Sequence, residues 1–393
     1  MAPFHRAAIC AAWLLVCGCS AAGDNSYQTD TASDAQPTSQ VEGTDVSMNG
    51  VAIQPPPSGA ARDTAVNGDS RAIGKSRQDA VIREGARTIH RNELPPLWTH
   101  GGSQDDSLIA LPMSRAADSE RVVVYDSMDG VFTAYSASTG DIQWRVGRRG
   151  KGPNEYSAYV VLARTPGGDF LALDWQNLRV TYIEPSTGST RRAMRWPVLS
   201  APRYPCVTAD DRLLILNSSP GRPLIWLTDS VATLEAPLPW PNAREMHQLA
   251  TQGILAAGPH GDCLLTLKYG QGFARYQQQD SLPLYIRAFV EPVALPILTR
   301  EKGPGGVTIT GFPKGTVRAA ITAAVGETEV LIAFGGRSKF RRLLVDRYTL
   351  ANGDYVGSFL LPFSPAGIAV SAGRIFVIDT SDDYPAVRAF ALP

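Results

Sequence analysis

Side chains able to do chemistry are few in this 393-residue chain, and their spacing is the first guide to their use. His247 and His260 stand on either side of an apolar run with Glu245 close by, donors that could hold Ca2+ or Zn2+. Their spacing matches neither HExxH nor H-x-E, and His90 and His100 lie far from them in the chain. Cys206 and Cys263 fall in separate apolar segments without a CxxC motif. They form either a disulfide or two small buried hydrophobes. There is no G-x-S-x-G nucleophile turn. Asp126, Asp174 and Asp379 each close an apolar run. A ring of carboxylates could bind cations or move protons, but a residue that recurs with a repeat is expected to accept hydrogen bonds from its turn's amides. Arg148, Arg149 and Lys151, Arg191 and Arg192, and the stretch Arg337–Arg342 could meet phosphates or carboxylates, or form solvated strand edges. No set amounts to a catalytic constellation, and no resident cofactor is expected.

The charge balance, Lys+Arg 37 against Asp+Glu 37, argues against a nucleic-acid partner, which needs a basic surplus to neutralise phosphates. Gly 36 and Pro 29 suggest a fold with many turns. At the start, Arg6 with His5 precedes an apolar run, Ala7–Val16. This is short of the ~20 residues that span a bilayer and suited to a secretory signal. Val16-Cys17-Gly18-Cys19 resembles the bacterial lipobox. The resemblance implies thioether lipidation of the Cys19 sulfur and cleavage after Gly18, with residues 1–18 as the lipoprotein signal peptide. Ser20 rather than Asp after the lipidated cysteine implies the outer membrane. Cys10 and Cys17 would leave with the signal, so Cys206 and Cys263 are the thiols that remain. Residues 19–93 are poor in bulky apolar side chains and read as a disordered tether. Over about 70 residues such a chain has an r.m.s. span of roughly 45 Å. A short basic helix over Ser76–Arg91 is the one element expected there.

From about Leu94 a unit recurs in which short apolar runs alternate with turns. Second strands of this unit start near Arg121 (RVVVYD), Asp169 (DFLALD), Arg212 (RLLILN), Asp262 (DCLLTL), Glu329 (EVLIAF) and Arg374 (RIFVID). Their spacing is that of a propeller, with one insertion in the fourth unit. The last unit ends at Pro393 without an outer strand, while Leu97-Trp98-Thr99-His100 resembles the outer strand of the next unit, Gln143-Trp144-Arg145-Val146. The expected fold is therefore all-β: residues 94–393 as a six-bladed β-propeller of four-stranded antiparallel blades, closed by the N-terminal strand near Trp98. Trp98, Trp144, Trp175, Trp196, Trp226 and Trp240 fall about one per blade or loop and are expected to pack blade against blade.

Two stretches carry a family resemblance. Gly150-Lys151-Gly152-Pro153-Asn154-Glu155-Tyr156, followed by Leu171-Ala172-Leu173-Asp174 and Asn177-Leu178-Arg179-Val180, resembles NHL-type six-bladed propellers. Their pattern is a G-x-G-P-x-E-[FY] turn, a strand ending in Asp and an N-x-R-[VI] strand start. Val131–Trp144 (VFTAYSASTGDIQW) is similar to one repeat of pyrroloquinoline-quinone-type propellers, which usually have eight blades. Phe334-Gly335-Gly336 has the glycine pair of kelch repeats, in one blade.

The expected function is that of an outer-membrane-anchored lipoprotein facing the periplasm, its propeller a non-catalytic binding or scaffold module. It would touch the membrane through its lipid and take a protein or glycan partner on one propeller face. The alternative is a metal-dependent hydrolase or lyase with Ca2+ or Zn2+ in the central channel, His247 and His260 being the candidate ligands. The anchor is directly testable. Cys19→Ala should leave a precursor neither lipidated nor cleaved at Gly18 while the propeller still folds. Intact-mass analysis of the membrane form checks this, and an unlipidated mature chain starting at Ala22 or Gly23 would contradict it.

Overall fold

A strand that is apolar at nearly every position must be covered on both faces, and the second strands show how. In Arg121–Asp126 the side chains of Val122 and Val124 enter one core packet while Val123 and Tyr125 enter the next. The computed structural model describes residues 80–393 apart from 92–93, 103–108, 196–201, 218–223, 228–232, 236–237, 239–251, 278–281, 303–307 and 382–383. Within these residues the chain is all strand and turn, arranged as six blades around a channel.

From the channel outward, blade 1 is Pro112–Ala117, Arg121–Asp126, Val131–Ser136 and Ile142–Val146. Blade 2 is Val160–Arg164, Phe170–Asp174, Arg179–Ile183 and Thr190–Arg195. Blade 3 is Pro202–Val207, Leu213–Asn217, Leu224–Leu227 and Thr233–Glu235. Blade 4 is Gly253–Ala257, Cys263–Leu267, Gly272–Tyr276 and Tyr285–Ala288. Blade 5 is Ala320–Val325, Glu329–Phe334, Leu344–Thr349 and Tyr355–Leu360. Blade 6 is Pro365–Ser371, Arg374–Asp379 and Ala386–Ala391, and its fourth strand is Trp98–Gly101 from the N-terminal side. That strand runs antiparallel to the last one, with Trp98 opposite Ala389 and Gly101 opposite Ala386, so the ring closes as the sequence led us to expect. The insertion between blades 4 and 5 contains a hairpin, Thr299–Lys302 with Thr308–Gly311.

The core is divided among the blade junctions. One buried packet lies between each pair of neighbouring blades, for example Leu171, Leu173, Val207, Leu213 and Ile215 between blades 2 and 3. Three junctions share a second device. Trp98 lies over Gly140, a turn residue of blade 1 at φ +81°, and its indole N–H donates to Ala137 O at 3.1 Å. Trp144 does the same to Gly188 of blade 2, donating to Pro185 O at 2.7 Å. On blade 4 Tyr285 covers Gly353 of blade 5 and donates to Leu350 O at 3.1 Å. A Cβ on any of these glycines would strike the ring, and the positive φ disfavours one anyway. The tryptophan expectation thus holds for Trp98 and Trp144, and Trp226 is buried in the packet between blades 3 and 4. Trp175 stacks instead on Tyr159, and Trp196 and Trp240 lie outside the described residues.

Cys206 of the inner strand of blade 3 and Cys263 of the second strand of blade 4 form a disulfide across their junction. It closes a loop with a sequence separation of 57, which limits the unfolded chain by about 4 kcal/mol on a chain-entropy basis.

One expectation needs correction. Residues 80–91, read as the end of the tether with a short helix, form a β-hairpin, Ala80–Glu84 with Arg87–Arg91. Its second strand pairs in parallel with the outer strand of blade 5, Ile89 opposite Ser358. The physical reason is Arg87. Its guanidinium is buried, gives Asp346 two hydrogen bonds at 3.0 and 2.9 Å, also bonds Glu291, and lies 3.9 Å over the Phe334 ring. Burial opposes that charge, but Asp346 and then Glu291 outweigh it and raise the Arg87 pKa above its ordinary value. All three partners lie more than 200 residues away, so nothing local in the hairpin announces them. Asp346→Leu should leave the buried guanidinium with Glu291 as its remaining carboxylate and cost up to about 3–5 kcal/mol, whereas the double substitution Arg87→Met with Asp346→Leu should recover most of that loss. Urea unfolding midpoints of the two variants decide this.

Candidate functional site

Inner strands begin, and second strands end, at the same mouth of the channel. The repeated aspartates sit there as turn acceptors. Asp126 accepts from the amides of Ala110, Leu111 and Met128 at 2.7, 3.2 and 2.9 Å. Asp174, fully buried, accepts from the amide and hydroxyl of Ser157 and from the amide and side-chain N–H of Asn177. Asp379 takes the amide and hydroxyl of Ser381 and an ion pair with Arg388 at 3.0 Å. With their oxygens so engaged, these carboxylates hold turns and do not form a ring for cations.

The Gly150–Tyr156 turn is structural for the same reason. Glu155 accepts from the amides of Gly152 and Lys151 at 2.8 and 3.0 Å and pairs with Arg148. These partners, Gly152 foremost, hold its carboxyl below the usual range. Arg179 donates to the carbonyls of Gly152 and Glu155, and Tyr156 packs edge-on to Phe132 at 4.6 Å, so the motif fastens blade 2 to blade 1. The basic groups divide in the same way. Arg149 donates to Ser127 O, Arg191 pairs with Asp169 and Glu184, and Arg192 lies over the Tyr182 ring.

The third basic stretch behaves differently. Arg341 and Arg342, at the turn between the second and third strands of blade 5, line a hollow of about 840 Å³ at this mouth over blades 4 to 6. Arg318 joins them from the loop entering blade 5. Arg318 donates to the Tyr269 hydroxyl at 3.1 Å, and Tyr269 stacks on Phe312 with ring centres 4.2 Å apart. Among the described residues no Asp or Glu lines the hollow, and none of the three arginines pairs with a carboxylate. Arg342 has φ +70°, a left-handed conformation that costs a non-glycine residue energy and is held only because the surroundings demand it. This mouth offers exposed guanidinium groups beside an aromatic wall, which suits carboxylate or phosphate oxygens.

The channel itself is narrow. The inner strands leave a cavity of about 70 Å³, lined mainly by alanine, valine, leucine and isoleucine. Its charged lining residues, among those described, are Arg115 of blade 1 and Arg164 of blade 2. Arg115 reaches the neighbouring blades, donating to Ile368 O at 2.9 Å and to the Thr322 hydroxyl. Burial pushes its pKa down to about 10, with Tyr204 working in the opposite direction. Guanidinium groups repel Ca2+ and Zn2+, and no cluster of three His, Cys, Asp or Glu stands together among the described residues. His260 is exposed on a blade 4 turn, and His247 and Glu245 lie outside the described residues. His90 packs beside Gly357 of blade 5, and His100 meets Tyr135 edge-on at 4.7 Å.

The sequence marked Arg337–Arg342 as a basic stretch, but Arg115, Arg164 and Arg318 passed unnoticed. The available signal was a charged residue inside an otherwise small and apolar inner strand, as in Pro112–Ala117 (PMSRAA) and Val160–Arg164 (VVLAR).

No protein-family model matches the chain, and no curated protein does. Among solved structures it is similar to a putative exported protein from Bacteroides fragilis, at 9% identity over 77% of this chain and 95% of that one, TM-score 0.47. It is also similar to selenomethionine-substituted virginiamycin B lyase from Staphylococcus aureus, at 12% identity over 75% and 99%, TM-score 0.42. BamB from Moraxella catarrhalis matches at 11% identity over 76% and 98%, TM-score 0.36. At these identities and scores nothing about activity follows.

Proposed function

We propose that the chain is an outer-membrane lipoprotein, anchored through Cys19 and facing the periplasm, whose NHL-like propeller is a non-catalytic binding module. Residues 1–18 serve as its signal peptide, and the stretch from Cys19 to the hairpin at Ala80 serves as its tether. The Cys206–Cys263 disulfide supports a compartment that permits oxidation. The partner is a protein segment rich in carboxylates, taken at the mouth over blades 4 to 6. The observation that carries this reading is the hollow with Arg318, Arg341 and Arg342 facing it and no carboxylate among the described residues of its lining. Its volume lies within the range of sites that enclose a ligand or a short peptide segment. Arginine with aromatic side chains is the composition expected where a few contacts dominate affinity.

Photocrosslinkers at Ala366 and Thr380, both exposed on the rim, should trap one discrete protein partner in intact membranes. A crosslinker at Ser119, on a turn at the opposite mouth, should not. Arg341→Glu with Arg342→Glu should weaken capture by roughly tenfold or more, as loss of about 1.4 kcal/mol requires, with the thermal midpoint unchanged. No discrete adduct, or equal capture from both mouths, would contradict the proposal.

A further inference from the structure

Several partly or fully buried arginines in this molecule share one pattern. Arg87 faces Asp346 and Glu291, Arg275 faces Asp262, Arg347 faces Glu329, and Arg388 faces Asp379. Each carries its charge into the protein with a carboxylate to meet it. Arg164 of the channel departs from the pattern, and so does Arg115. Its guanidinium sits in the channel among blades 1, 5 and 6, and its acceptors, Ile368 O and Thr322 Oγ1, are both neutral. Among the described residues no Asp or Glu lines the channel cavity and Nη1 meets no acceptor.

The guanidinium is also provided for sterically. Gly367 of blade 6 lies directly beneath it, and a Cβ there would come within 2.7 Å of Nε and 2.8 Å of Cζ. Thr322 and Gly367 both follow a bulge in their inner strands, where the register shifts by one residue. Bulges of this kind re-aim backbone and side chain, and here they bring Thr322 Oγ1 and Ile368 O to one guanidinium. The remaining lining supplies hydroxyl groups from Ser114 and Tyr204 and a second positive charge, Arg164, two register positions nearer the opposite mouth. A cavity of about 70 Å³ has room for about five water-sized particles.

We infer that the propeller channel holds one small monovalent anion, chloride or a carboxylate of formate size, on the free Nη1 edge of Arg115. Arg115 is partly buried, and a charge drawn partly out of water against neutral acceptors alone is costly. An anion in contact with the guanidinium would offset that cost by direct charge attraction. Burial lowers the Arg115 pKa, and an adjacent anion would raise it again. The inference is independent of the partner hollow, which lies at the mouth and uses other arginines.

The test uses the full mature chain in sodium gluconate, whose anion is too large for the cavity, titrated with sodium bromide, chloride or formate at constant ionic strength. The thermal midpoint should rise saturably with each small anion. Arg115→Met should abolish that rise and, in gluconate alone, should be at least as stable as the wild type, because it removes an unmet charge. Gly367→Ala, which crowds the guanidinium, should raise the half-saturating bromide concentration about tenfold or more. Crystals grown in bromide should show an anomalous peak within hydrogen-bonding distance of Arg115 Nη1. A wild-type midpoint indifferent to the anion, an equal response from Arg115→Met, or bromide only at exposed arginines would overturn the inference.

Discussion

Everything else in this molecule depends on the contact between neighbouring blades. A blade alone is a small sheet with both faces apolar, and it is stable only when a neighbour covers each face. The second strands make this plain, since Val122 and Val124 face one neighbour while Val123 and Tyr125 face the other. The aromatic ring seated over a turn glycine of the next blade sets the angle between blades at three junctions. Trp98 is the member of that set that closes the ring, because its strand comes from the far end of the chain. Closure covers the apolar blade faces that an arc of blades would leave at its ends.

A ring built in this way has a rigid centre, and its charges report what that centre is for. Where the fold needs an arginine inside, it supplies a carboxylate, and the Arg87–Asp346 pair even recruits a hairpin from before the propeller onto blade 5. That hairpin places the chain leading to the N-terminus on one blade's outer edge. Among the described residues, arginines that no carboxylate meets line the channel (Arg115, Arg164) and one mouth (Arg318, Arg341, Arg342). The turn aspartates at the same mouth show the contrast, for each is saturated by its own turn.

Much of the fold was legible in the sequence because propeller strands obey short-range rules. Continuous apolar runs such as RVVVYD and RIFVID mark strands covered on both faces, and all six anticipated second strands are present. The missing outer strand of the last unit and the resemblance between Trp98 and Trp144 were enough to foresee closure. The aspartate turns were legible because their partners lie nearby in sequence, as with Met128 for Asp126 and Asn177 for Asp174. The hairpin at Ala80–Arg91 was not, since its stability rests on Asp346, Glu291 and Phe334, all distant in the chain. Arg115 was hidden for a related reason. An arginine in an inner strand reads the same whether it points to solvent or across a channel, and only Thr322 and Ile368 from other blades distinguish the two. Tyr285 escaped notice at its junction because it stands where the other two locks use tryptophan.

The central claim is that six blades and the Trp98 strand form one cooperative ring, on which the mouth and channel are held in place. Native-state hydrogen exchange measures this most directly. The amides linking Trp98–Gly101 to Ala386–Ala391 should exchange only through global unfolding, at the same opening free energy as the second strands of blades 1 and 6. If the closing strand exchanged through a low-energy local opening while those second strands stayed protected, the ring would be an open arc and the account would fail.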